Sequence, residues 1–201
     1  MTKTVDYYMA PQSPFVYLGH DHLTKLLAEH GARVRLFPVD LGGKIFPASG
    51  GLPLPKRAPQ RLAYRLVELK RFSQWRGLPM NVEPTFFPVS GDAAARLLIA
   101  VDRADGVDAA MKLAGAMARA VWAEQRNIAD AATLAELLAA QGLPASRLDA
   151  SGQPEAQQTY EGFTSQALET GVFGAPTFVI DGEMFWGQDR LDFVGRRLAA
   201  S

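Results

Sequence analysis

Gly171-Val172-Phe173-Gly174-Ala175-Pro176-Thr177-Phe178 stands at the centre of the stretch from Thr164 to Leu198, and its reading decides the fold. A helical pattern precedes it, and Thr177-Phe178-Val179-Ile180 is a β-run. Asp181-Gly182 predicts a two-residue hairpin turn, whose central positions need positive φ. Glu183-Met184-Phe185-Trp186 is the return strand. Gly187-Gln188-Asp189-Arg190 then opens a final amphipathic helix, with Leu191, Val194 and Leu198 on one face. Pro176 has two readings. It is a trans proline at the start of an edge strand, or it follows a cis bond that leaves the Ala175 backbone free to pair with a bound thiol or peptide. A cis X–Pro bond is a minority state unless the fold demands it.

The other end of the chain supplies a β-α-β unit. Thr4 to Met9 is β-branched and aromatic, and reads as a strand. Ser13-Pro14 looks like a helix N-cap followed by proline at the first helical position. Leu18, Leu23, Leu26 and Leu27 share a helical face, Gly31 stops the helix, and Arg33 to Val39 is a second strand. Two strands joined by a helical crossover should be parallel.

Between the two ends lies a block of about five helices. Leu41 to Gln60 reads as a long loop rich in glycine and proline, and such loops inside compact domains tend to be functional. Arg61 to Trp75, Asp92 to about Ala104, Asp108 to Arg126, a short helix capped by Asp130, and Pro154 to about Thr170 follow helical spacing. The order β-α-β, helical block, α-β-β-α is an α/β, thioredoxin-like fold with a large all-helical insertion. We expect one domain over 1–201, with the insert at about 60–150. One sheet must unite the two ends, which brings Ser13 to Pro176 at a sheet edge where ligands bind.

Composition narrows the chemistry. The 201 residues hold 21 Lys plus Arg against 21 Asp plus Glu, which gives no argument for nucleic acid or an anionic membrane as partner. No apolar run is long enough for a membrane span and no signal-peptide core is seen, so the expectation is a soluble cytoplasmic protein. There is no cysteine, which excludes a protein-borne thiol redox cycle. Thioredoxin-type redox proteins carry Cys-x-x-Cys where this chain has Ser13-Pro14-Phe15-Val16. A helix N-terminus stabilises a thiolate. A serine hydroxyl there can donate a hydrogen bond to a thiolate carried by another molecule, or it can serve only as the cap. His20-Asp21-His22 is no chelate, because residues two apart on a helix face different ways. Trp75, Trp122 and Trp186 are expected in the core, with Trp186 also able to border the cleft.

With these residues in hand, the chain resembles the 2-hydroxychromene-2-carboxylate isomerases, a group allied to kappa-class glutathione transferases and DsbA-type oxidoreductases. The match runs along nearly the whole chain. It is strongest at Tyr7-Tyr8, at Ser13 to Gly19, at Gly171 to Phe178 and at Asp181 to Leu191. The resemblance implies glutathione as cofactor, an aromatic small molecule as substrate and a homodimer. It implies that Ser13 contacts the glutathione sulfur as the catalytic residue. It places the backbone of Ala175, before the cis-proline Pro176, on the cysteinyl part, and Gln188 and Asp189 on the γ-glutamyl end. Asp189 could also, or instead, cap the last helix. Arg61 aligns with a lysine of the family, and Gly51 stands about where relatives often have asparagine. The implied reaction interconverts 2-hydroxychromene-2-carboxylate and trans-o-hydroxybenzylidenepyruvate by thiolate addition, bond rotation and elimination, with Lys44 or Arg61 as candidates for the substrate carboxylate. A kappa-type transferase or peroxidase, or a non-catalytic thiol-binding module, is the alternative. The missing cysteines exclude a disulfide oxidoreductase.

Overall fold

A computed structural model describes residues 2–200. Its sheet has four strands in the order β2-β1-β3-β4. β1 (Thr4–Met9) pairs in parallel with β2 (Arg33–Pro38), through the crossover helix α1 (Pro14–Glu29). The last 25 or so residues add β3 (Thr177–Ile180) antiparallel to β1, and β4 (Glu183–Trp186) antiparallel to β3. Asp181 (φ 52) and Gly182 (φ 82) both take positive φ, as the hairpin turn requires.

β1 is central and buried on both faces, so its side chains alternate between two cores. Tyr7 points to one face and stacks on Phe178, with ring centroids 5.3 Å apart. Tyr8 points to the other and stacks on Phe37 at 4.9 Å. The larger core holds Leu18, Leu23 and Leu26 of α1, together with Leu191, Val194 and Leu198 of the last helix. The opposite face gathers Phe37, Val39, Val179 and Ala167.

The segment between β2 and β3 is helical. α2 (Phe46–Ser49) is a single turn, followed by α3 (Pro59–Arg76), α4 (Asp92–Asp105), α5 (Val107–Trp122), α6 (Ala131–Ala140), α7 (Ser146–Ser151) and α8 (Pro154–Glu169). The chain ends in α9 (Leu191–Ala199). The Asp130 carboxylate accepts from the Thr133 N–H at 3.3 Å, as its capping position predicts.

Three local readings are corrected. α5 stops at Trp122, not near Asn127, because the Trp122 carbonyl accepts from the Asn81 N–H at 2.7 Å and Gln125 adopts φ 53. Leu41 to Gln60 is not a uniform loop: a five-residue π turn runs Leu41–Ile45 and passes directly into α2. Trp122 is fully buried, but Trp75 and Trp186 are 68% and 51% exposed. Trp75 lies near the end of α3, where only Leu69 of that helix is buried, so no second layer covers its ring.

Candidate active site

The Ala175–Pro176 bond is cis, which decides between the two readings of Pro176. Pro176 heads β3, and its carbonyl accepts from the Gly187 N–H at 2.9 Å. This fastens the hairpin's return to the strand start. Ala175 thereby lies against the N-terminus of α1. Ser13 caps that helix: its Oγ accepts from the Val16 N–H at 3.4 Å and donates to the Ala175 carbonyl at 3.5 Å. The first helical turn leaves the Phe15 N–H without an intrahelical acceptor. Ser13 is 6% exposed and Ala175 8%, so both polar groups work in a desolvated setting.

A cleft of ≈ 1020 Å³ opens over this junction and contains every candidate site residue except Pro176: Ser13, Arg61, Ala175, Gln188 and Asp189 all line it. Pro176 lies directly beneath, joined to Ala175. Lys44 is exposed and outside the cleft. Phe173 and Trp186 flank one rim with ring centroids 4.8 Å apart. Gly174 makes that pairing possible, since a Cβ there would lie 2.2 Å from Trp186 Nε1.

Gln188 is buried and its side chain turns inward. Its Oε1 accepts from Arg76 Nε at 3.0 Å and its carbonyl from Arg76 Nη2 at 3.1 Å. Arg76 also contacts His22 Nδ1 at 2.6 Å. Burial and the neighbouring Arg76 hold the His22 imidazole below its ordinary pKa, so it stays neutral and accepts. His20, by contrast, faces the core, where its Nε2 meets the Met111 carbonyl at 2.9 Å. Asp189 caps no helix: Gln188–Arg190 is a 3-10 turn whose cap positions receive no side-chain hydrogen bond. Its carboxylate folds over Gly187 and lies 3.6 Å from Arg190, with 44% of the side chain exposed.

The opposite wall is cationic. Arg57, Arg61 and Arg65 all face the cleft, and among the described residues no carboxylate lies within ion-pair distance of any of them. Arg57 donates Nε–H to the Leu52 carbonyl at 2.7 Å and lies over the Phe46 ring. Burial lowers its pKa, and Arg61 lowers it further. The glycine at 51 has a local cause: a Cβ there would lie 2.4 Å from the Phe46 ring. The loop places an aromatic ring where a side chain at 51 would stand. Arg57, Arg65 and Arg76 were not anticipated from sequence. Arg65 was within reach, being four residues after Arg61 on the same helix face.

The geometry defines a thioredoxin-type site without cysteine, in which a capping hydroxyl and a cis-proline backbone face each other across the floor of a cationic cleft. A DSBA-like thioredoxin domain model matches residues 4–199. The chain is 29% identical over 195 residues to 2-hydroxychromene-2-carboxylate isomerase of Sphingobium xenophagum, covering 96% of this chain and 97% of that one. It is 31% identical over 191 residues to the enzyme of the same name from Pseudomonas putida, covering 93% and 90%. A solved 2-hydroxychromene-2-carboxylate isomerase structure superposes with a TM-score of 0.83 at 27% identity, covering 98% of this chain and 94% of that one. The chain belongs to the DSBA-like thioredoxin domain family, among its 2-hydroxychromene-2-carboxylate isomerase-like enzymes.

Proposed function

We propose that the protein is a glutathione-dependent isomerase that interconverts 2-hydroxychromene-2-carboxylate and trans-o-hydroxybenzylidenepyruvate. The observation that carries this is the Ser13–Ala175 juxtaposition at the mouth of α1, in a chain with no thiol of its own. The residues present fit glutathione. Ser13 and the unpartnered Phe15 N–H suit a thiolate. The Ala175 backbone suits the cysteinyl peptide. The half-exposed Asp189 carboxylate suits an α-ammonium, and Arg61 a carboxylate. When bound, glutathione supplies the nucleophilic thiolate whose addition and later loss free a conjugated bond to rotate.

The chain's own work is electrostatic. Ser13 Oγ keeps the Val16 N–H as donor, and the long bond to the Ala175 carbonyl is cheap to exchange. The hydroxyl proton can therefore turn from that carbonyl to an anion in the cleft. The α1 N-terminus adds positive potential at the same point. The apolar residues Phe15, Phe72, Phe87 and Val89 line the region beyond Ser13 and suit an aromatic ring. Glutathione is held reduced in the cytosol, so the reading carries a cytoplasmic location with it.

The test follows ultraviolet absorbance of 2-hydroxychromene-2-carboxylate with purified protein, with and without glutathione. Conversion that requires glutathione and collapses in Ser13→Ala supports the reading. Glutathione binding without conversion would replace it with a transferase or binding module.

A further inference from the structure

We propose that Arg65, with Gln12 across the same indole, is the seat for the carboxylate and hydroxyl of an aromatic 2-hydroxy acid. The choice of that ligand class rests on the isomerase reading; the seat itself rests on geometry. Arg65 reaches the cleft wall from α3, half-buried where Arg61 is exposed. Its guanidinium lies over two aromatic rings, 5.3 Å from the Phe87 centroid and 5.7 Å from that of Trp122. The rings attract the cation but leave its N–H groups unpaired. Nη2 is shut off from solvent and has no hydrogen-bond partner. Glu68, on the same lining, is bound to Arg71 at 2.9 Å.

A buried cationic donor without a partner is unfavourable by itself. It becomes favourable when an anion arrives, and a planar carboxylate matches the guanidinium fork. Burial draws the Arg65 pKa down to about 10, which still leaves the group charged at neutral pH.

Gln12 supplies the second half. Its Oε1 is likewise buried and without a hydrogen-bond partner, and it packs against Gly91, where a Cβ would lie 1.9 Å from it. Its backbone carbonyl accepts from Trp122 Nε1 at 3.2 Å, so Gln12 and Arg65 border the same indole. Arg65 and Gln12 both line the cleft, and each carries one buried polar atom without a partner, a donor and an acceptor. A ligand with carboxylate and hydroxyl on one carbon satisfies both: the carboxylate accepts from Arg65, and the hydroxyl donates to Gln12. The hemiketal carbon of 2-hydroxychromene-2-carboxylate carries these two groups. Phe15, Phe72 and Val89 line the same cleft and give the ring an apolar bed.

The experiment is calorimetric titration with three bicyclic probes that cannot accept a thiol: naphthylglycolate, naphthylacetate without the hydroxyl, and naphthylmethanol without the carboxylate. Wild type should bind naphthylglycolate best, with each loss costing roughly tenfold. Arg65→Met should erase the advantage of the carboxylate, Arg65→Lys should keep part of it, and Gln12→Met should erase only the advantage of the hydroxyl. Unchanged glutathione affinity and unfolding temperature in Arg65→Met would show that the fold and thiol site survive. An unaltered probe ranking in Arg65→Met overturns the proposal, as does failure of wild type to bind naphthylglycolate. A parallel fall in glutathione affinity overturns it too, because the guanidinium would then serve the thiol. Probe binding through Arg65 without any isomerisation would sink the isomerase reading and leave the seat. Isomerisation with an indifferent Arg65 would sink the seat alone.

Discussion

Ser13 and Ala175 lie 162 positions apart, and the Ser13 hydroxyl donates to the Ala175 carbonyl at 3.5 Å. Every other property of the floor follows from that meeting, because it fixes where a helix N-terminus points relative to an exposed strand-start backbone. A hydroxyl bonded this loosely is a poor structural fastener and a ready donor.

On the proposed glutathione-dependent reaction, Ser13→Ala should therefore raise the pKa of the bound thiol and slow turnover roughly 10- to 100-fold, the worth of one hydrogen bond to a charged group. Thiolate absorbance of the bound cofactor against pH checks the first, and steady-state rates the second. Loss of the cap should also cost about 1 kcal/mol of stability. Equal thiol pKa in wild type and variant would remove Ser13 from the chemistry and leave it the cap alone.

If glutathione is the cofactor, Asp189→Asn should weaken its binding roughly tenfold, because the carboxylate caps no helix and stays half-exposed on the cleft lining, with Arg190 at 3.6 Å as its ion-pair partner. Cysteinylglycine, which lacks the γ-glutamyl group, should bind wild type and variant alike. A variant that loses affinity for both thiols equally would refute the assignment.

The sequence announced most of this floor. The Ser-Pro start of α1, the Ala-Pro start of β3 and the Asp-Gly turn are local signals, each written within a few residues, and each appears where expected. The walls were not legible in the same way. Gln188 is clasped by Arg76 from the far end of α3, 112 positions away. Arg65 is set apart from the other arginines of α3 only by Phe87 and Trp122, which come from two other segments. Neither contact has a local signature. Of the two places expected for Trp186, core or cleft border, the structure shows the border: it lies on an edge strand, where one face stays open, and lines the cleft.

The clasp gives a third prediction. Arg76→Ala removes both bonds to Gln188, which should raise the glutathione KM several-fold with a smaller change in kcat, since a positioning contact is lost and no reacting group is touched. Gly19→Ala should act alike from the other side, because its Cβ would press within 2.8 Å of Gln188 Cβ. A kcat collapse at unchanged KM in either variant would show that the turn does more than hold the cofactor.

Acid should loosen the same clasp. The folded-state pKa of His22 lies below its ordinary 6.5, through burial and then Arg76. The unfolded chain binds the proton first, so the contribution is present above about 6.5 and is lost as pH falls through the lower folded value. Buried His20 shifts in the same direction and adds to the slope. Unfolding temperature measured between pH 7 and 5 should fall, and His22→Gln should flatten part of that fall. A slope identical in the variant would place the whole effect on His20 or elsewhere.

The order of the strands also governs when the enzyme can exist. β1 precedes β3 in the chain and stays open along one edge until β3 pairs with it through Asp6–Val179, Tyr7–Phe178 and Tyr8–Thr177. A growing chain therefore carries an uncompleted sheet while the whole helical segment between β2 and β3 is made, and such edges invite wrong partners. Ribosome-stalled chains ending before Thr177 should remain protease-sensitive at β1, and chains that include α9 should not.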